Sequence, residues 1–453
     1  WGTYLVGEAW FRQEQWEHAL DPLAFVFRHA AKRDIRNQAA VQLTTALVRL
    51  ERFQDLFTVM PHVYRTTARY DIALNLALVE AGDRNFEAEH YLYAISLYRL
   101  VFFKHELVEN LTANMAAAEV RRKLVWQERG LDRSRMMAVS RLLKRRIEDY
   151  AAHRVRLREF PDYDEQVMIR LAQTYLNLQR YWEALTGYRR IFDERPSHPL
   201  AEQALYSAFA TAREMGNLER AIREGYDYLD AYPLGEYWEA LTVELAQLHI
   251  RRKEYTLALD VAEEAMELKP AHTLRPHLLY LAGYSHFHLN RMPDARIRFE
   301  EILDQHPDCA FIEDASYWRA LTLLFHQQYV EAGTAFTDFL EAFPGSGYVE
   351  DASFRLGVAT YGQGELTRSH DLLRAFVSDH PDSAHAGEAF CMLGDLLASW
   401  SRLDAALEEY ARVAGSAANM TEINHALFQS CRVYELEARY DEIVRICRDY
   451  IDR

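Results

Sequence analysis

Three histidines form the densest group of residues in the chain that could bind a metal ion: His277, His286 and His288. Imidazole nitrogens are common zinc ligands, and a zinc site adds further His, Cys or carboxylate ligands at short, defined spacings. In a helical register the three histidines occupy ordinary positions, without a Cys or a carboxylate at ligand spacing. The motif His-Glu-x-x-His is also absent from the sequence. We therefore predict neither a metal site nor a metal cofactor.

Two glycine-rich segments could cradle a phosphate group. Gly345-Ser346-Gly347 and Gly362-Gln363-Gly364 have closely spaced glycines, but a phosphate loop joins a strand to a helix, and no strand pattern precedes either segment. A Gly-x-Ser-x-Gly nucleophile motif does not occur. The sequence predicts no catalytic residue and no cofactor, and we expect a protein that is not an enzyme.

The elements around these residues follow a regular repeat that is marked by proline. Six prolines lie 37 residues apart, in five equal intervals: Pro196, Pro233, Pro270, Pro307, Pro344 and Pro381. A constant period of this length is typical of stacked repeats. Twelve residues before each proline stands a small residue, either Ala or, in the sixth repeat, Ser369. A second small position lies a further twelve residues back, as Gly283 does before Ala295.

Apolar residues within each repeat recur every three or four positions, which indicates helix and not strand. The frame proline ends the second helix because it lacks an N–H and disfavours helical backbone in the preceding residue. Bulky residues four positions after the small residue are expected to fill the seam between repeats: Tyr188, Phe299, Phe336, Leu373 and Tyr410. Each repeat is therefore predicted to be a helical hairpin.

The spacing of Gly283, Ala295, Phe299 and Pro307 resembles the pattern of the tetratricopeptide repeat (TPR), with a period three residues longer than the common form. The segments around Phe343-Pro344-Gly345 and His380-Pro381-Asp382 are similar to repeats of bacterial cell-envelope TPR proteins, namely Tol-Pal accessory proteins and outer-membrane assembly lipoproteins. This resemblance implies an all-α, right-handed superhelical solenoid. It also implies a non-enzymatic scaffold that binds polypeptide segments in a concave groove, within a periplasmic envelope complex. The alternative is the interaction or regulatory part of a larger cytoplasmic protein, whose catalytic or DNA-binding domain lies outside this chain.

The repeat frame divides the chain into three parts. Residues 1–103 are expected to form degenerate TPR-like repeats, and residues 161–453 a regular array of about eight repeats. Residues 104–160 break the frame and are predicted to form a basic helical hairpin that turns around Arg129 and Gly130. No apolar run is long enough to span a membrane. Since residue 1 is Trp and lies inside a repeat, we expect a missing upstream part that could hold a signal peptide or a lipid anchor.

The inserted segment 104–160 has a net charge of +6, against −16 for the whole chain and therefore −22 for the remainder. Three interpretations fit this asymmetry: pairing with the acidic repeats, an acidic protein partner, or phosphate binding. The acidic body favours the first two, and we expect no nucleic-acid partner. Residues 300–351 contain 11 Asp or Glu and one basic residue, Arg319, which favours a basic partner.

One face of the first helices carries an aromatic stripe. Two interpretations are open, because such rings either pack against the next repeat or anchor a bound peptide. The predicted partner-binding residues are Tyr206, Tyr280, Tyr284, Phe287, Tyr317, Phe354 and Tyr361. Near the end of the chain, the frame brings Cys431 and Cys447 close together, either as two buried thiols or as a disulfide.

Overall fold

The computed structural model describes residues 1–127, 132–160 and 162–451, and it contains only helices in this part of the chain. The predicted all-α array of helical hairpins is thereby confirmed. The turn expected around Arg129 and Gly130 lies outside the described residues. The chain divides into two compact units, residues 1–236 and 237–453, which are described separately.

The first unit contains twelve α-helices and two short 3₁₀ helices, Thr67–Tyr70 and Val125–Gln127, among its described residues. The α-helices pair in chain order: α1 (Gly2–Arg12), α2 (Trp16–His29), α3 (Arg33–Arg49), α4 (Phe53–Val63), α5 (Ile72–Glu87), α6 (Tyr91–Tyr98), α7 (Lys104–Leu124), α8 (Arg133–Glu159), α9 (Asp164–Asn177), α10 (Tyr181–Glu194), α11 (Ala201–Glu214) and α12 (Leu218–Ala231).

The second unit continues the same alternation with twelve α-helices among its described residues. They are α13 (Trp238–Arg251), α14 (Tyr255–Leu268), α15 (Arg275–His288), α16 (Met292–Gln305), α17 (Ile312–Phe325), α18 (Tyr329–Ala342), α19 (Val349–Gly362), α20 (Leu366–Asp379), α21 (Ala386–Ser399), α22 (Leu403–Val413), α23 (Met420–Leu436) and α24 (Tyr440–Ile451). Each frame proline lies two residues after the end of a second helix, as Pro307 does after α16, which confirms its role as a helix stop.

A residue with positive φ, in the left-handed backbone conformation, lies in the turn between the two helices of each repeat. Its backbone N–H bonds back to the end of the first helix, as Gln327 N does to Leu324 O at 2.9 Å, and the next residue turns the chain into the second helix. From Gln179 onward these residues are 37 apart, and the first three, in the N-terminal part, are separated by 37 and 38 residues. In chain order they are Glu14, Glu51, Glu89, Gln179, Gly216, Lys253, Asn290, Gln327, Gly364, Ser401 and Ala438. The N-terminal repeats, which lack the frame prolines, therefore have the same positive-φ turn as the later repeats.

Gly364 has a φ of 82°, a conformation that carries a steric penalty for any residue with a Cβ. We expect Gly364→Ala to lower the free energy of unfolding by about 1–2 kcal/mol. Gly345→Ala is the matched control, because a methyl group added there meets no atom within 4 Å. The thermal unfolding midpoints of the two variants measure the difference, and equal midpoints would contradict the assignment of strain to this turn.

Phe299 and Tyr410 were predicted to fill the seam between repeats, but each instead packs within its own hairpin, against a glycine of the first helix. A Cβ added to Gly283 would lie 2.8 Å from the ring of Phe299, which is fully buried. In the hairpin of α21 and α22, Gly394 faces Tyr410, whose hydroxyl donates to Asp395 Oδ1 at 2.7 Å.

The degenerate N-terminal part uses the same arrangement as Gly394 and Tyr410. Gly82 of α5 faces Tyr98 of α6, and the Tyr98 hydroxyl donates to Asp83 Oδ1 at 2.6 Å. Both tyrosines are buried, and burial followed by the hydrogen bond to Asp raises the pKa of each. The hairpin formed by α5 and α6 is therefore built like those of the regular array.

Helices α7 and α8 form a hairpin that packs chiefly on itself, around Ala118, Val125 and Leu143. Its base is held by the buried Asp164, which accepts hydrogen bonds from the backbone N–H groups of Lys104 and His105. Among the described residues, the Lys and Arg side chains of this hairpin form ion pairs only within it, with Asp132 and Glu148. Pairing with the acidic repeats, one of the three interpretations of this segment, is therefore not observed.

Candidate partner-binding surface

Three of the predicted aromatic residues join one repeat to the next. Tyr280 stacks on Phe311 with ring centroids 5.3 Å apart, Tyr317 on Tyr348 at 4.2 Å, and Phe354 on His385 at 4.8 Å. The second ring of each pair lies 31 residues later, in the loop before the next first helix. Tyr317 and Phe354 are buried, with 6% and 0% of their surface exposed, so little of either ring is open to solvent.

Two carboxylates of the acidic residues 300–351 make polar contacts with these rings. Asp314 accepts from the Tyr348 hydroxyl at 2.7 Å, and Asp351 accepts from the Tyr317 hydroxyl and lies 2.8 Å from His385 Nε2. Burial and the Asp314 carboxylate raise the pKa of Tyr348 to about 12, and burial and Asp351 also raise the pKa of Tyr317. Part of the acidic character of residues 300–351 therefore serves packing between repeats.

A continuous chain of partly exposed rings lies across α14, α15 and α17. We call it the aromatic patch. The successive ring centroids are 4.4 to 5.5 Å apart, as expected for favourable aromatic contacts. In order along the surface, the patch consists of Tyr255, His288, Tyr284, Trp318, Phe287 and Phe325.

The edge of this patch is open to solvent, since Phe325 is 54% exposed and His288 is also exposed. Trp318 lies at its centre, 4.9 Å from Tyr284 and 5.1 Å from Phe287, with both pairs arranged edge to face. Burial raises the pKa of Tyr284 and lowers that of His288, so both side chains favour their neutral forms. The patch thus offers a neutral, aromatic surface with one exposed rim.

The other predicted residues lie outside the aromatic patch. Tyr280 borders it, with its ring centroid 6.2 Å from that of Tyr284. Tyr361 is exposed on α19. Tyr206 belongs to α11 of the first unit, where it packs against Phe209 and Tyr228.

Sequence reasoning missed Tyr255, His288, Trp318 and Phe325. When Glu165 and its equivalents are counted as position 1 of each first helix, the predicted residues Tyr206, Tyr280, Tyr317 and Phe354 all occupy position 5, which is buried or partly buried in these helices. Position 13 is exposed in α11, α13, α15, α17 and α19, where it is occupied by Glu214, Arg251, His288, Phe325 and Gly362. The helical period alone could have suggested this face, because positions 6, 9 and 13 lie on one side of a helix.

The three neighbouring histidines have different partners. His277 lies 2.7 Å from the Gln247 amide nitrogen, His286 lies 3.3 Å from a Glu263 oxygen, and His288 stacks on Tyr255. Within the described residues, no three His, Cys, Asp or Glu side chains gather in a way that could hold a metal ion.

Cys431 and Cys447 are free thiols whose Sγ atoms lie 3.8 Å apart. Burial, followed by the neighbouring thiol, raises the pKa of Cys431 to about 11. The predicted proximity of the two cysteines is therefore observed, in the thiol form.

No helix in the described part of the chain has both the length and the apolar content needed to cross a bilayer.

Residues 278–308, which include most of α15 and α16, match the family model described as tetratricopeptide repeat. This match identifies one tetratricopeptide repeat in the chain, and the neighbouring helical hairpins have the same architecture. The chain resembles TPR proteins of the bacterial envelope: the outer membrane protein assembly factor BamD of Vibrio cholerae serotype O1 is 28% identical over 130 residues. The match covers 24% of this chain and 54% of BamD, so the similarity spans about half of the relative's length.

Solved structures of other TPR proteins are also similar. A tetratricopeptide repeat protein from Parabacteroides merdae is 15% identical, with a TM-score of 0.38, and the match covers 59% of this chain and 98% of that one. The C-terminal part of a TPR protein from Cytophaga hutchinsonii is 13% identical with a TM-score of 0.43, over 57% and 98% of the two chains. YrrB, described as a TPR protein with an unusual peptide-binding site, is 21% identical with a TM-score of 0.34, over 42% and 90%.

Proposed function

We propose that this protein is a non-enzymatic scaffold that binds a polypeptide segment on the aromatic patch of its second unit. The observation that carries the proposal is the unbroken row of six rings, which begins at the start of α14, crosses α15 and ends at the exposed Phe325 of α17. Groups of partly exposed aromatic side chains are the usual energetic centres of protein interfaces.

The rings are held in place before any partner arrives. Trp318 contacts both Tyr284 and Phe287, and the exposed Phe325 ring rests on Phe287. A preformed surface of this kind loses little side-chain entropy on binding. Its exposed rim suits the apolar side chains of an extended or helical segment.

The acidic composition of residues 300–351, which include Trp318 and Phe325 of the patch, favours a basic segment. Helix α18, which follows α17 directly, exposes Glu331, Asp338 and Glu341, while Asp314 and Asp351 are already engaged by tyrosines. Exposed carboxylates of this kind raise the association rate of a cationic partner more than they raise its affinity. We therefore expect a segment that combines aromatic or aliphatic residues with Lys or Arg.

The proposed setting is a complex of the bacterial envelope, with the protein in the periplasm. The support is the similarity to BamD, which is itself described as an outer membrane protein assembly factor. A repeat scaffold could hold several polypeptide segments during the assembly of a complex, because each repeat offers a separate surface along the chain.

Selection from a displayed peptide library tests this function. Peptides are selected on the full chain, and their affinities are then measured for the unmodified protein and for single variants. We expect Phe287→Ala or Phe325→Ala to weaken binding about thirtyfold, equivalent to about 2 kcal/mol, because truncation of a central anchor typically has this effect.

Phe428→Ala is the matched control, since Phe428 is an exposed phenylalanine on α23, outside the patch. It should leave the affinity unchanged within about twofold, which is the ordinary effect of a residue outside an interface. If the selected peptides bind the Phe287 and Phe325 variants as tightly as the unmodified protein, the patch is not the binding site.

A further inference from the structure

The far end of the inserted hairpin carries a dense group of exposed cations. Residues 120–127 and 133–147 together contain nine Lys or Arg and no Asp or Glu. All nine side chains are exposed: Arg121, Arg122, Lys123, Arg133, Arg135, Arg141, Lys144, Arg145 and Arg146. We call residues 120–127 and 133–147 the cationic tip.

Most of this charge is not neutralised inside the protein. Among the described residues, two of the nine cations form an ion pair, Arg135 with Asp132 at 3.5 Å and Lys144 with Glu148 at 3.8 Å. Both pairs are exposed, and exposed pairs contribute little and exchange readily with other partners. The charge of the cationic tip is therefore available to an external anionic surface.

Large apolar side chains are exposed between these cations. Trp126 is 50% exposed, and four further apolar side chains are also open to solvent: Val120, Leu124, Met137 and Leu142. A single exposed apolar residue needs no explanation. Tryptophan and leucine interspersed with Lys and Arg are typical of segments that lie in the interface of a bilayer.

The hairpin separates the cationic tip from the carboxylates at its base in the first unit. Its base is fixed where Asp164 binds the start of α7, and the 21 residues of α7 extend about 30 Å from that point. At physiological ionic strength the screening length is about 8 Å. Repulsion between the carboxylates at the base of the hairpin and a negatively charged surface is therefore largely screened at the distance of the tip.

We propose that the cationic tip docks the protein on a bilayer that contains anionic phospholipids. The Arg and Lys side chains bind headgroup phosphates, while Trp126 and Leu124 enter the boundary between headgroups and acyl chains. A nucleic acid or an acidic protein would match the charge alone. A lipid interface matches the charge and also removes the exposed apolar side chains from water.

Sedimentation with lipid vesicles tests the proposal on the full chain. Vesicles of phosphatidylcholine with about one-third phosphatidylglycerol are compared with vesicles of phosphatidylcholine alone, and we expect binding to the anionic vesicles only. Substitution of four cations, Arg141→Gln, Lys144→Gln, Arg145→Gln and Arg146→Gln, should lower the partition coefficient at least about a hundredfold, at roughly fivefold per cation. The matched control makes the same charge change at exposed sites elsewhere: Arg223→Gln, Lys253→Gln, Arg402→Gln and Arg448→Gln.

Quenching by brominated acyl chains reports whether Trp126 enters the bilayer. We expect quenching on anionic vesicles that is lost in the Trp126→Phe variant. The proposal is overturned if the full chain does not bind the anionic vesicles, or if the two fourfold variants bind them equally. It is also overturned in favour of another partner if duplex DNA or polyglutamate binds the tip while brominated lipid quenches no tryptophan.

Discussion

Truncation of Phe354 to alanine should lower the stability of the second unit by about 3–5 kcal/mol, because the side chain is fully buried and its loss leaves a cavity. The Phe354 ring packs on Phe376 of its own hairpin and stacks on His385 in the loop before α21. It therefore connects one repeat to the next as well as the two helices of a hairpin. In a repeat protein, loss of such a contact weakens the interface between neighbours most.

Native-state hydrogen exchange of the amides in α19 to α21 measures this loss, since unfolding of a repeat array need not be a single transition. Tyr361→Ala is the control on the same helix, because Tyr361 is 44% exposed and should contribute less than about 0.5 kcal/mol. A Phe354→Ala variant as stable as the unmodified protein would show that this ring is not a packing residue between repeats.

Gly394→Ala should destabilise the protein, although the same substitution stabilises most helices. Ala is better than Gly in a helix interior by about 1 kcal/mol. At Gly394, however, the new Cβ would overlap the ring of Tyr410, which is buried and fixed by its hydrogen bond to Asp395. Since such overpacking typically costs about 1–3 kcal/mol, we expect Gly394→Ala to destabilise the hairpin of α21 and α22 by about 2 kcal/mol.

Gly333→Ala serves as the comparison, because the atom it would meet is the amide nitrogen of Gln363, which can move away with the loss of one hydrogen bond, to Tyr329 O. The better helix propensity of Ala, about 1 kcal/mol, offsets this loss. Its thermal midpoint should stay close to that of the unmodified protein. In a Tyr410→Ala background, which removes the obstructing ring, Gly394→Ala should become neutral or stabilising. If Gly394→Ala instead raises the midpoint in the original background, the close approach of the two helices is not as the structure describes it.

Much of the fold follows from local chemistry and could be predicted. The frame prolines lie beyond the ends of the second helices, so the regular spacing of Pro307 and its equivalents was enough to predict the hairpins. The close approach of two helices at Gly283 was also predictable from its small size, but Phe299 was expected between repeats and instead faces Gly283 within the same hairpin. The left-handed turns were not predicted, because Gln327, Lys253 and Glu51 give no sign of positive φ in their side chains.

The candidate site was predicted less well, because the direction of a ring depends on the neighbouring repeat. Tyr317 and Phe354 lie on the predicted face, but the loop before the next helix supplies Tyr348 and His385, which cover them. The prediction included Tyr284 and Phe287 and missed Trp318, which lies between them and completes the surface. A one-position error in the phase of a helix is enough to exchange packing residues for exposed ones.

Hydroxyl-radical footprinting of the full chain, with and without a selected peptide, tests the central claim most directly. The method measures side-chain accessibility, and binding to the aromatic patch should protect Phe325, Phe287 and Trp318 from oxidation. The exposed Phe428 and Tyr361 should remain as reactive as in the free protein. Protection of Phe428 or Tyr361 with no change at Phe325 and Trp318 would contradict the account and place the binding surface elsewhere on the chain.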